Sequence, residues 1–156
     1  MDNISDNLVE AERSIKTADH MIYVTFPLIK DKRLLLKILQ DIKKAITHSM
    51  NSMLQYEYYS GRIKLYKDSR VNFKIFLEKC VPRYQITKEE VTLITELLDF
   101  VEKQKESPFE FGKEGRLVLL SGNLRPRIMS IEKTKEFMFA AKSILRKTKE
   151  EIFRNG

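Results

Sequence analysis

The chain has no tryptophan, one cysteine, two histidines, five glycines and four prolines in 156 residues. A single cysteine, Cys80 in the apolar setting IFLEKCV, excludes an internal disulfide framework and reads as a buried thiol in a reducing compartment. So few glycines and prolines exclude a chain built of tight β-turns, so helices are expected to dominate. With no His-Glu-x-x-His or Cys-x-x-Cys spacing, the sequence gives no basis for a transition-metal site. A phosphate-cradling glycine loop and a nucleophile elbow are missing as well, and no cofactor is expected. The apolar stretch 21–29 holds nine residues, against the roughly 20 that span a bilayer. The polar, acidic start does not read as a secretory signal, so the expectation is a cytoplasmic protein with no membrane partner.

What is present is a helical pattern centred on residues 31–59, a stretch without glycine or proline. Leu35, Ile38, Leu39, Ile42, Ala45, Ile46, Met50, Met53 and Leu54 recur at steps of three and four, the spacing of one buried helical face. Asp41, Lys44, His48, Asn51 and Gln55 are assigned to the wet face. A helix of this length, about 43 Å at 1.5 Å per residue, needs the remaining elements to pack along it.

The other elements follow in order. Ser5 is a candidate cap for a first helix with Leu8, Ala11, Ile15, Ala18 and Ile22 inward, which Pro27 should kink or end. Asp31 caps the central helix after a corner at Lys30, so the first two helices form an antiparallel hairpin. Ser60-Gly61 stops the central helix, and Asp68 or Ser69 opens a short helix that closes at Pro82. Thr87 and Glu90 fit a capping box for a fourth helix to about residue 105. Residues 116–120 and 124–129 read as a small β-hairpin with Pro126 on an edge, and Ser130 caps a last helix with Phe137, Ala141, Ile144, Thr148 and Ile152 inward. The expected fold is mainly α, a single domain over 1–156: a helical bundle built on a long antiparallel helix hairpin, with a small β-hairpin at about 115–129 before the C-terminal helix.

The net charge is +7, from 29 basic and 22 acidic residues. Counted from the sequence, residues 1–20 carry 2 basic and 5 acidic residues (−3), 30–83 carry 13 and 5 (+8), 88–112 carry 3 and 7 (−4), and 113–156 carry 11 and 5 (+6). Two readings follow from this alternation. Acidic and basic elements neutralise one another in the fold, or the basic blocks share a surface for phosphates.

Two groups of residues supply the second reading. Tyr56, Tyr58 and Tyr59 precede Arg62 and Lys64, and the hairpin region carries Lys113, Arg116, Arg125 and Arg127. Flat rings beside cations are what unpaired RNA needs for stacking and phosphate contact. Arg146 and Lys147 of the basic last helix join this candidate surface. RNA is the expected partner and a second copy of the chain the other.

Arg13 and His20 stand seven residues apart, on one helical face and about 10 Å apart along it. This pair, with polar Ser14 after the arginine, resembles the Arg-x(4–6)-His signature of HEPN ribonucleases, small helical proteins that dimerise and cut RNA without a metal. The resemblance implies Arg13 and His20 as catalytic residues; it covers these two positions only, and here they lie in the first helix rather than a late one. ADHMIYVTFPLIKDK at 18–32, LQYEYY at 54–59 and PRY at 82–84 resemble segments of a small family of helical proteins in archaeal genomes. That likeness implies a cytosolic archaeal protein and supplies no activity. The leading expectation is an RNA-binding or ribonucleoprotein-associated protein without catalysis. The alternatives are a HEPN-like ribonuclease and a protein-interaction module that meets its partner through residues 21–29.

Overall fold

The computed structural model describes residues 2–106, 109–113, 115–120 and 126–154. The first arm is α1 (Asp2–His20), a π-helical turn (Met21–Thr25) and α2 (Phe26–Ile29), and the second is α3 (Lys32–Tyr59). The third is α4 (Ser69–Ile75), a second π-helical turn (Phe76–Cys80) and α5 (Val81–Arg83). After α6 (Lys88–Glu106), strands β1 (Phe109–Lys113), β2 (Arg116–Leu120) and β3 (Pro126–Met129) lead into α7 (Ile131–Arg154).

The helix ends are set by local chemistry that the sequence announces. The Asp31 carboxylate accepts from the Arg33 N–H at 2.7 Å and that of Asp68 from the Arg70 N–H at 2.9 Å, each satisfying an orphan donor of a first turn. Thr87 and Glu90 form the reciprocal capping box, at 2.9 and 3.1 Å. Ser130 Oγ accepts from the Lys133 N–H. Ser5 is not a cap: α1 begins at Asp2, leaving Ser5 exposed within its first turns.

Neither proline ends its helix. Phe26 N–H bonds to the carbonyl of Met21 and Val81 N–H to that of Phe76, five residues back, immediately before Pro27 and Pro82. A proline ring collides with the carbonyl four residues before it, and widening one turn to the π pattern removes that collision while the helix runs on.

α1 and α3 pack antiparallel, with Asn7 Oδ1 2.7 Å from His48 Nδ1 and the Ser52 hydroxyl donating to the Ile4 carbonyl. α7 packs against both, and α6 against α3 and α7. All nine apolar residues of the predicted α3 stripe are buried. Asp41, assigned to the wet face, is buried too, with Oδ1 held by Lys37 at 2.7 Å. The buried sector of α3 is wider than its apolar stripe because α1, α6 and α7 all pack against this helix.

The predicted hairpin is present as β2 and β3, antiparallel with Leu117 opposite Met129 and Leu119 opposite Arg127; residues 121–125, which include the predicted turn, lie outside the described residues. A further strand, β1, pairs with the other edge of β2, making a three-stranded sheet in the order β1-β2-β3. Leu117, Val118 and Leu119 are consequently all buried, as a central strand requires. The sheet lies at the start of α3, where a Cβ built on Gly112 would come within 3.1 Å of Lys32 Cβ.

The ion pairs sort the charge blocks. Acids of α1 meet α7, as Asp19 with Lys142 at 2.6 Å and Glu12 with Lys149. Acids of α6 meet α7 and β3: Glu90 with Lys147 (2.6 Å), Glu96 with Lys133 (2.9 Å) and Asp99 with Arg127 (2.7 Å). The acidic blocks are thus directed at the last basic block, and in ion pairs between described side chains only Arg83, of residues 30–83 with their excess of +8, meets an acid outside its own block, Glu151 at 3.8 Å.

Candidate nucleic-acid interface

The end of α3 is shaped by a glycine. Gly61 takes φ +76°, a conformation open to a residue without Cβ, and the chain closes on itself through Gly61 N–H to Tyr58 O and Arg62 N–H to Glu57 O, both 3.0 Å. This Schellman turn returns Arg62 over the helix it has just left. Its Nε and Nη2 then grip the buried Glu57 carboxylate at 3.0 and 2.8 Å, and its guanidinium lies 5.6 Å from the centre of the Tyr56 ring.

Glu57 is the hub of this end of the bundle. Besides Arg62 it accepts from Arg83 Nε at 2.9 Å and from the Tyr84 hydroxyl at 3.3 Å. Two guanidiniums converge on one carboxylate with 2% of its side chain exposed. The Glu57 hydrogen bonds hold the Arg62 pKa above its usual value. Burial, then the Glu57 charge, pushes the Tyr84 hydroxyl up and the Cys80 thiol up to about 12. Cys80 is inert in this setting.

Beyond the turn, residues 62–67 run back along α4. Asn72 fixes them with a two-way amide clamp, its Oδ1 accepting from Tyr66 N–H at 2.9 Å and its Nδ2 donating to Tyr66 O at 2.7 Å. The result is an open cleft of about 340 Å³ lined by Gly61, Arg62, Ile63, Lys64, Tyr66, Ile75 and Lys79. Three cations and a ring half exposed at 53% line it, and among the described residues no carboxylate does. Lys64 and Lys79 have no carboxylate partner among the described residues. Tyr58 and Tyr59, just before Gly61 in the chain, are 47% and 53% exposed and meet edge to face at 5.6 Å.

The predicted residues fall into two places rather than one. Tyr56, Tyr58, Tyr59, Arg62 and Lys64 gather at the C-terminal end of α3. There Arg146 and Lys147 also lie, lining with Arg83 and Arg154 a cavity of about 80 Å³ that Glu150 and Glu151 share. Those guanidiniums face carboxylates: Arg146 pairs with Glu150 at 3.2 Å and Arg83 with Glu151 at 3.8 Å. Lys147 is committed inside the fold, its ammonium 2.6 Å from Glu90 and 2.8 Å from the Gln85 carbonyl. The hairpin cations sit at the other end of α7, a helix of 24 residues and about 36 Å. Arg116 is exposed, Arg127 is paired with Asp99, the Lys113 side chain is not described and Arg125 lies outside the described residues.

The cleft adds Tyr66 and Lys79, which sequence reasoning missed. Their signal was the excess of 7 basic over 2 acidic residues in 60–83, counted from the sequence, with one tyrosine, Tyr66, inside it.

Arg13 and His20 both point outward from α1, and neither borders the clefts described here; Arg13 pairs with Glu10 at 2.8 Å. Segment 21–29 buries Ile22 and Phe26 and exposes Tyr23, Val24, Leu28 and Ile29, the last two at 83% and 61%. Among the described residues no group of three or more His, Cys, Asp or Glu side chains could hold a metal ion, and no helix is long and apolar enough to cross a membrane. No family model, curated protein or solved structure matches the chain, so both resemblances rest on the residues quoted for them.

Proposed function

We propose that the protein binds unpaired RNA, without catalysing a reaction, through the cleft at the end of α3. The observation that carries this reading is the lining of Arg62, Lys64, Lys79 and Tyr66 with no carboxylate among them. Lys64 and Lys79, which have no carboxylate partner among the described residues, attract phosphates, and an exposed ring offers a stacking face to any base. Arg62, anchored on Glu57, is preorganised and loses little entropy on meeting a phosphate. The test is the affinity of labelled RNA for Lys64→Gln/Lys79→Gln beside Arg125→Ala/Arg127→Ala. The cleft variant should weaken binding by about tenfold or more and flatten its salt dependence, the second by less. Unchanged affinity in the cleft variant sinks the assignment. The same tubes run on a denaturing gel address the enzyme alternative: RNA cut without metal, with cutting lost in His20→Ala, would replace this reading by a HEPN-like ribonuclease using Arg13 and His20.

The exposure of Tyr23, Val24, Leu28 and Ile29 favours a second reading, association with another copy of the chain through segment 21–29. Light scattering should then give a mass above that of the monomer, lowered by Leu28→Glu. A strict monomer at high concentration removes it.

A further inference from the structure

The solvent face of α3 shows no carboxylate. The two acidic residues of this helix, Asp41 and Glu57, are both buried and both paired within the fold. Exposed Lys37, Lys44 and Asn51 alternate with half-buried Gln40, Thr47 and Gln55 at steps of three and four that keep them on one stripe, and the next step reaches exposed Tyr58, three residues before Gly61 of the cleft.

Midway along the stripe lies a second groove, of about 330 Å³, between α3 and α6. Lys43 and Lys44 of α3 and Lys105 of α6 line it with Val101, Gln40, Thr47 and His48, and among the described residues no carboxylate does. None of the three lysines has a carboxylate partner among the described residues. Three ammonium groups around one groove repel one another, and a polyanion laid along them would relieve that repulsion.

Resting on the reading of the cleft as an RNA site, we propose that the stripe continues this site and that the ligand is an extended single strand of RNA. Its phosphates run from Lys64 and Lys79 to Lys43, Lys44 and Lys105, with bases stacked on Tyr58 and Tyr59. From residue 44 to the end of α3 at Tyr59 is about 22 Å at 1.5 Å per residue. A stacked strand advancing about 3.4 Å per nucleotide covers that distance in about seven nucleotides, within the reach of an eight-mer. The strand is single because exposed ring faces can be used only by bases free of a partner.

The experiment is fluorescence anisotropy of the full chain with labelled oligouridines of four, eight and twelve nucleotides and with a twelve-base-pair RNA duplex, at one low salt concentration. Affinity should rise about tenfold or more from four to eight nucleotides and level off at twelve, with the duplex weaker than the eight-mer. Lys43→Gln/Lys44→Gln should cost about tenfold on the eight-mer and leave the four-mer unchanged, whereas Lys64→Gln/Lys79→Gln weakens both. A four-mer bound as tightly as an eight-mer, or indifference to Lys43 and Lys44, overturns the extended track and leaves the cleft standing; a duplex bound as tightly as the strand overturns the single-strand reading of both. No binding of any oligomer overturns the cleft reading and the track with it.

Discussion

Replacing Glu57 by Gln tests the hub on which the cleft is built. The carboxylate has 2% of its side chain exposed and receives Arg62 in bidentate fashion, Arg83 and the Tyr84 hydroxyl. Removing one partner of a fully buried ion pair costs about 3–5 kcal/mol, because the other charge is stranded. Here the stranded groups are not fully buried: Arg62 and Arg83 expose 35% and 40% of their side chains and can turn partly to water. Gln also keeps the volume and one acceptor oxygen. The expected loss is therefore lower, about 2–3 kcal/mol. For a domain of this size it corresponds to a fall in Tm of roughly 5–10 °C. Thermal and urea unfolding followed by circular dichroism read it directly. Glu150→Gln is the control, since its pair with Arg146 is more than half exposed on both sides and should contribute at most about 0.5 kcal/mol. A Glu57→Gln protein that melts within about 2 °C of wild type, or no lower than Glu150→Gln, would refute the hub. RNA affinity should fall with it, because Arg62 loses its anchor.

Three further outcomes are expected. Cys80, buried and with its thiol pushed up to about 12, should resist a thiol reagent in native buffer and react fully in denaturant; stoichiometric labelling of the native protein would contradict its placement. Burial alone would raise the Glu90 pKa, but Lys147, Ser143 and the Thr87 N–H outweigh it and hold the group below its usual 4.5. A depressed carboxylate stabilises the fold above its unfolded value and loses that contribution as pH falls through the folded one. The urea midpoints of wild type and Glu90→Gln should accordingly converge below about pH 4.5, and a gap independent of pH would be wrong for this linkage. Ile42, fully buried at the centre of α3, should cost about 2–5 kcal/mol when cut to Ala, read as a lower urea midpoint at unchanged slope.

Features whose chemistry lies within a few residues were legible before any coordinates. The caps at Asp31, Asp68 and Ser130, the Thr87–Glu90 box, the stop at Gly61 and the apolar faces of α3 and α7 depend on spacing alone. Pro27 and Pro82 were legible as disturbances but not as π-helical turns, because whether a helix breaks or widens depends on what packs around it. Strand β1 was illegible because Phe-Glu-Phe-Gly-Lys becomes a strand only with β2 beside it. Half of the cleft, Arg62 and Lys64 with the tyrosines before them, stood out as a cluster in the sequence. The other half did not, since Lys79 lies far along the chain and is brought opposite Lys64 by a Schellman turn and the Asn72 clamp. Lys147 looked like a surface cation, and only the packing of α6 against α7 gives it Glu90.

The central claim is that unneutralised charge on residues 30–83 meets RNA phosphates, and salt tests it most directly. Affinity for an eight-nucleotide single strand would be measured by fluorescence anisotropy between 50 and 200 mM salt. Five phosphate contacts, at about −0.7 each for a single strand, give a slope of log K against log salt near −3.5, a loss of about a hundredfold over that range. Removing Lys64 and Lys79 should bring the slope to about −2. Binding that ignores salt, or a slope unmoved by removing those two lysines, would contradict the account.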